Sequence, residues 1–265
     1  MIIKLLDSKS IEKKKRLTHL LFVLFILIFP VSAVELDSLS KYKPIIEGTI
    51  RAKYEYNTSL DASRFQVRNA RFSINGNFSS ITSYKAEIDL SDEGVTKMLD
   101  AYIRLQPVDW VRFTLGQQKI PFSTDNLRSP HQLYFANRSF IGKQISSGLR
   151  DVGATVMLSG KKGIPFDFQF GAYNGNGLYN QQEWKKEMDY AFRFEIFPVK
   201  NMEISLNYNS IKPENLRMNL YDAGVFFNLS DLHLDVEYIY KTYTKNTFQA
   251  TQALSVFGAY DIKTS

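Results

Sequence analysis

The chain has 265 residues, 33 Lys and Arg against 27 Asp and Glu, three His and no Cys. The lack of cysteine excludes a disulfide framework, a thiolate metal site and a cysteine nucleophile. The three scattered histidines, His19, His131 and His233, serve zinc binding or histidine-based catalysis poorly. Aromatics reach 14% in a chain of mean hydropathy −0.23, so aromatic surface is expected to meet something other than water or the protein itself. Nothing in this composition asks for a cofactor.

Residues 1–33 read as a secretory signal peptide. Lys13, Lys14, Lys15 and Arg16 precede the apolar run Leu20 to Phe29, Pro30 ends it, and Val31-Ser32-Ala33 offers small residues for cleavage after Ala33. The alternative is an uncleaved anchor, for which the run is short. This segment holds six of the bases and two of the acids, which leaves 27 bases and 25 acids beyond it. A nucleic-acid partner is therefore not expected, because nucleic-acid binders carry a stronger basic bias. Residues 34–43 are expected to form a periplasmic N-terminal segment and 44–265 the folded body.

From residue 44 onward the apolar residues recur with period two, the signature of half-exposed strands. In the first strand Ile46, Gly48, Ile50, Ala52, Tyr54 and Tyr56 oppose Glu47, Thr49, Arg51, Lys53 and Glu55. In the second, Phe65 and Val67 are out of phase with Phe72 and Ile74, which predicts a bulge near Asn69-Ala70. Tyr84, Ala86, Ile88 and Leu90 then oppose Lys85, Glu87 and Asp89. Leu99, Ala101, Ile103 and Leu105 oppose Asp100, Tyr102, Arg104 and Gln106. Later strands repeat the pattern: Phe168 and Phe170 against Asp167 and Gln169, Phe192 and Phe194 against Arg193 and Glu195, and Leu206 and Tyr208 against Ser205 and Asn207. Val225 and Phe227 oppose Asp222 and Gly224, with Phe226 an exception on the polar side. Val236 and Tyr238 oppose Asp235 and Glu237, and the twelfth strand runs over Leu254 to Ile262.

Connections on one side, at 80–82, 107–109, 161–165, 198–201 and 230–231, are tight. Those on the other, at 57–63, 92–97, 119–148, 176–186, 212–217 and 244–250, are longer and more polar. That asymmetry fits an all-β transmembrane antiparallel barrel with short periplasmic turns and external loops. A sheet spanning hydrocarbon must close its hydrogen bonds internally and face lipid with its apolar side. Trp110, Phe166 and Phe197 are expected in the girdle at the short-turn end. Tyr54, Tyr56, Tyr173, Tyr208, Tyr240 and Tyr243 are expected in the other.

The connection over Lys119 to Gly148 is the longest, and long connections of this kind are usually functional or disordered. It carries Pro121, Asp125, Arg128, Pro130, His131, Tyr134, Phe135, Arg138 and Phe140. Folded into the lumen, it would pack Tyr134, Phe135 and Phe140 against the wall and constrict the channel; the alternative is a cap outside the barrel. Arg71, Lys85, Arg104, Arg112 and Arg193 lie on polar faces with Arg51 and Lys53, and rings of bases select anions. Interior carboxylates such as Glu47, Glu87, Asp89, Asp100, Asp189, Asp222 and Glu237 offer salt bridges that would brace the wall without selecting anything. Replacing Arg71 and Arg112 by Ser is expected to weaken anion preference.

Two blocks resemble phosphate-selective porins of the O and P type. One is Arg68-Asn69-Ala70-Arg71-Phe72-Ser73-Ile74-Asn75-Gly76. The other is Asp100-Ala101-Tyr102-Ile103 followed by Leu115-Gly116-Gln117-Gln118-Lys119-Ile120-Pro121-Phe122-Ser123, with Asn137-Arg138-Ser139 similar in the long connection. The resemblance is sharp over about residues 64–140. It implies a homotrimeric outer-membrane porin of a Gram-negative bacterium, embedded in outer-membrane lipid, that passes small hydrophilic solutes and favours anions such as phosphate. By position it marks Arg68, Arg71, Lys119, Arg128 and Arg138 for that role. Family barrels have about sixteen strands where twelve fit here, and no aromatic ends the chain, so a shortened barrel or an incomplete sequence is expected. The rival functions are a nonconducting structural barrel, an outer-membrane enzyme, which lacks an identifiable nucleophile set, and a soluble β-sandwich binding protein, which would bury its outward aromatics.

Overall fold

The computed structural model describes residues 42–129, 132–133, 138–142, 150–212 and 216–262. The signal peptide expected over 1–33 lies outside the described residues, as do residues 34–41, Pro130, His131, Tyr134, Phe135 and Asn137. Twelve strands follow one another: β1 (Ile45–Asn57), β2 (Ala62–Asn77), β3 (Thr82–Asp92), β4 (Val95–Val108), β5 (Val111–Lys119), β6 (Arg150–Gly160), β7 (Phe166–Tyr173), β8 (Asp189–Ile196), β9 (Met202–Ile211), β10 (Met218–Leu229), β11 (Leu232–Tyr243) and β12 (Thr251–Tyr260). Each pairs antiparallel with the next, so spatial order equals chain order. Among the described residues β1 pairs only with β2 and β12 only with β11.

The wall is inside out relative to a soluble fold. Ile46, Phe65, Leu115, Val256 and many other large apolar side chains are exposed, while Asp89, Arg193, Asn207, Asp222 and Glu237 are buried. Phe192 and Val225, which a sandwich would enclose, stay 37% and 40% exposed. Polar side chains point inward and apolar ones outward, as a lipid-facing barrel requires.

Bulges set the phase. Arg51 pairs with Asn69 but Ala52 with Val67, so Arg68 is the extra residue, one position before the predicted bulge. It returns Phe65, Val67, Phe72 and Ile74 to one outer face. A second bulge was not expected: Glu87 pairs with Asp100 and Ile88 with Met98, leaving Leu99 unpaired. Leu99 is therefore buried rather than outward, and Met98 takes the exposed position. The Gln117 side-chain amide donates to the carbonyls of Met98 at 2.7 Å and Leu99 at 2.8 Å.

The loop asymmetry holds from the third external connection onward. The expected loop at 92–97 is instead a two-residue turn, because Glu93 and Gly94 both adopt positive φ (56° and 96°). Two left-handed central residues match the twist of paired strands and close a hairpin tightly.

Candidate functional site

The β5–β6 connection folds inward. Its first segment carries α1 (Thr124–Leu127), capped by the Ser123 side chain. Ile120, Phe122 and Ile141 form a buried cluster with Tyr173, Ala191, Leu220 and Ile239 of β7, β8, β10 and β11. These wall residues sit on the polar phase of their strands and create an apolar landing site inside the barrel. Tyr173, expected in the outer girdle, is fully buried here, with its hydroxyl 2.8 Å from Thr155 Oγ1. Gly153 makes room for its ring: a Cβ there would strike the Tyr173 side chain and the Ala172 carbonyl. Phe140, expected against the wall, is 71% exposed, because the loop docks through Phe122 and Ile141 instead.

Polar contacts pin the loop to the same wall. The Thr124 amide donates to Glu237 at 2.8 Å, and Arg128 pairs with Asp235 at 2.5 Å. Arg193 donates to Thr124 Oγ1 at 2.8 Å and Asn207 Oδ1 at 2.9 Å, while pairing with Glu195 at 2.7 Å and Glu203 at 3.2 Å. From β5, Lys119 donates to the carbonyls of Leu127 at 2.6 Å and Arg128 at 3.2 Å. Within the loop, Arg138 donates to the carbonyl of Asp125 and, at 2.6 Å, to that of Arg128. Burial holds the Arg138 guanidinium below its usual pKa; Asp125 opposes this, and Arg71, Arg150 and Arg128 add to it.

A second set of inward side chains, on β2, β3, β4 and β6, forms a ladder of ion pairs. Arg71 pairs with Asp89 at 2.8 Å and approaches Glu87 at 3.8 Å; Lys85 joins Glu87 at 2.6 Å and Asp100 at 3.2 Å. Arg150 completes the ladder with Asp100 at 2.7 Å and Glu87 at 3.8 Å. Three bases face three acids, so this stretch is braced and locally neutral. Asp89 also accepts from Asn69 and the Ala70 amide, both at 2.9 Å, so the Asn69-Ala70-Arg71 block is built around a buried carboxylate. Arg68, the bulged residue, is half-buried on β2.

Arg104 and Arg112 differ. Among the described residues no carboxylate pairs with either. Arg104 donates to the Tyr102 hydroxyl at 3.3 Å, with its guanidinium 5.0 Å from the Tyr102 ring centroid. Arg112 contacts the Met157 thioether. Both line a polar cavity of about 240 Å³ together with Lys85, Lys119 and Arg150, the carboxylates Glu87 and Asp100, and Ser129 from the loop. On the loop's other side Arg128, Arg138, Phe226, Asp235 and Phe257 line a cavity of about 220 Å³. Phe226, the exception in its strand's alternation, lies inward with Arg128 5.8 Å from its ring.

The nine predicted bases thus separate by role. Arg104 and Arg112 have no carboxylate within ion-pair distance among the described residues, although Glu87 and Asp100 line the same cavity and Asp167 attracts Arg112; Lys85 and Arg71 belong to the neutral ladder. Lys119, Arg128, Arg138 and Arg193 hold the loop, and Arg68 forms the bulge. Arg150 was not anticipated. It precedes Asp151, which starts the inward phase of β6, so alternation alone assigns it to the wrong face. No group of metal-ligating side chains occurs among the described residues.

The family described as phosphate-selective porin O and P matches residues 48–202. No curated protein sequence matches this chain. Among solved structures, the anion-selective porin from Comamonas acidovorans superposes with a TM-score of 0.58 at 12% identity, covering 81% of this chain and 73% of that one. The trimer form of in-vitro folded OmpT, an outer membrane protein of Vibrio cholerae, gives a TM-score of 0.43 at 10% identity, covering 83% and 85%.

Proposed function

Because this chain belongs to the phosphate-selective porin O and P family and is an outer-membrane porin, we propose that its lumen favours small anions, phosphate among them, over cations. One observation carries the reading: Arg104 and Arg112 line the polar cavity with no carboxylate within ion-pair distance among the described residues, while its carboxylates Glu87 and Asp100 are taken up by Arg71, Lys85 and Arg150. A fixed guanidinium that is not neutralised raises the local anion concentration and offers a fork suited to oxyanions. The ladder of Arg71, Lys85 and Arg150 with Glu87, Asp89 and Asp100 supplies rigidity rather than field. The loop narrows the passage by filling the β8–β11 side, so a solute passes between Ser129 and the arginine-bearing wall.

The precursor is exported by cleavage after Ala33, which N-terminal sequencing of the mature product checks; a start other than Val34 contradicts it. The assembly is a homotrimer in outer-membrane lipid. Its contact face is the outer side of β1 to β4, where the directly paired Ala86 and Ala101 leave a dip among the exposed Ile50, Phe65, Phe72 and Ile103. Cross-linking in membranes that yields only monomers would contradict this.

The selectivity test is the reversal potential of the purified porin in planar bilayers under a potassium chloride gradient. Chloride preference is expected, reduced several-fold in R104S/R112S. A wild-type channel without preference favours the second reading, a nonselective pore whose lumen charges are all structural, for which the carboxylate pairing of Arg71, Lys85, Arg128 and Arg193 speaks.

A further inference from the structure

The outer surface differs between the two halves of the barrel. On β7 to β11, Phe170, Phe192, Tyr208, Tyr221 and Tyr240 stand in direct cross-strand register. Neighbouring rings touch along the row, with Phe170–Phe192 centroids 4.8 Å apart, Phe192–Tyr208 6.0 Å, Tyr208–Tyr221 5.2 Å and Tyr221–Tyr240 6.3 Å. Each lies three residues below the loop end of its strand, roughly 10 Å at the rise of an extended chain.

At the loop end of the same strands, the connection between β7 and β8 carries Trp184, which is 99% exposed, followed by Lys185 and Lys186. Next along the chain, Glu187 pairs with Lys212 at 2.9 Å and Arg217 at 3.1 Å, both from the β9–β10 connection. Lys185 pairs with Glu183 at 3.0 Å. Four bases thus stand with three carboxylates, exposed Glu183 and Glu187 and buried Asp189, which lies 3.7 Å from Arg217, near a fully exposed tryptophan. Lys212 and then Arg217 hold the Glu187 carboxyl below the usual carboxylate range, so it remains the hub of this cluster at neutral pH. Water alone does not account for a tryptophan presented in this way. An exposed indole at the loop end of an aromatic band, followed by two lysines, has the chemistry of a membrane–water boundary with anionic headgroups.

We propose that Trp184, Lys185, Lys186, Lys212 and Arg217 form a docking surface for a phosphate-bearing lipid headgroup of the external leaflet. The indole enters the headgroup layer, and the excess positive charge pairs with the lipid phosphate. This surface is separate from the lumen, and its test is independent of whether the pore selects anions.

The chain has two tryptophans, at opposite ends of the barrel, so Trp110→Phe leaves Trp184 as the sole indole reporter. The W110F porin is reconstituted into vesicles of phosphatidylcholine, with or without phosphatidic acid, whose headgroup is a phosphate monoester. A blue shift of Trp184 emission and stronger quenching by brominated phosphatidic acid than by brominated phosphatidylcholine are expected. K185Q/K186Q should reduce the preference for phosphatidic acid about tenfold, since one of the two lysines is already paired with Glu183. E187Q, which frees Lys212 and leaves Arg217 with only its 3.7 Å contact to Asp189 as an ion pair, should increase it. Equal quenching by the two lipids, or loss of the preference on adding inorganic phosphate alone at matched ionic strength, would overturn the proposal; the second result would assign the cluster to free phosphate.

Discussion

Arg112 and Arg193 occupy one row of the barrel, which runs Arg112, Met157, Gln169, Arg193 across β5 to β8. Arg193 is 2% exposed and held by Glu195, Glu203, Asn207 and Thr124. Arg112 has a thioether beside it and the cavity in front of it. The same side chain at the same height is therefore a bolt on one wall and, in the function proposed above, a source of field on the other. What separates them is the loop: it lands where Ala191, Leu220 and Ile239 interrupt the polar phase, and the wall beneath it supplies carboxylates to hold it. Counting inward bases does not measure anion preference; the carboxylates that neutralise them have to be subtracted.

The largest expected effect comes from breaking the bolted side. Arg193→Ala leaves the half-buried Glu195 and Glu203 without their partner and should cost about 3 kcal/mol in urea unfolding from vesicles. R193M/E195Q/E203Q, which removes both signs of charge, should recover most of that loss, and failure to recover would place the cost elsewhere. Gly153→Ala pushes a methyl into the Tyr173 ring and the Ala172 carbonyl, and should destabilise by about 1–3 kcal/mol in the same measurement. Asp235→Asn weakens the Arg128 tether at the cost of about 1–3 kcal/mol in loop docking. It should appear as larger, noisier single-channel conductance, and a quiet, unchanged trace would mean the loop is held without this pair. Lys85→Gln leaves two bases against three acids in the ladder beside the cavity, so it should cost about 1 kcal/mol and lower the chloride preference by less than R104S/R112S does.

Period-two alternation made the strands, the outer face and the lumen charges legible, because lipid outside and water inside impose opposite polarity on adjacent residues. The β2 bulge was readable to within one residue from the phase slip between Val67 and Phe72. The β4 bulge was not, since Leu99 keeps the apparent phase and the rescue comes from Gln117 on the next strand. The inward fold of the long connection could be anticipated from its apolar content, but its anchors are Ile120, Phe122 and Ile141. The landing site did leave a signal: Leu220, Phe226 and Ile239 are apolar residues on a polar phase. Which arginines are neutralised depends on cross-strand register and on Arg150 at an irregular strand start, and neither is encoded in local pattern.

The most direct measurement compares R104S/R112S with R128S in the same bilayers, recording reversal potential and single-channel conductance together. The open-wall variant should shift the reversal potential toward cations while the channel keeps opening to a steady level. The loop-wall variant should change conductance and leave the sign of the reversal potential as in the wild type. If R128S abolishes ion preference and R104S/R112S leaves it intact, the division of the lumen into a selecting wall and a holding wall is contradicted.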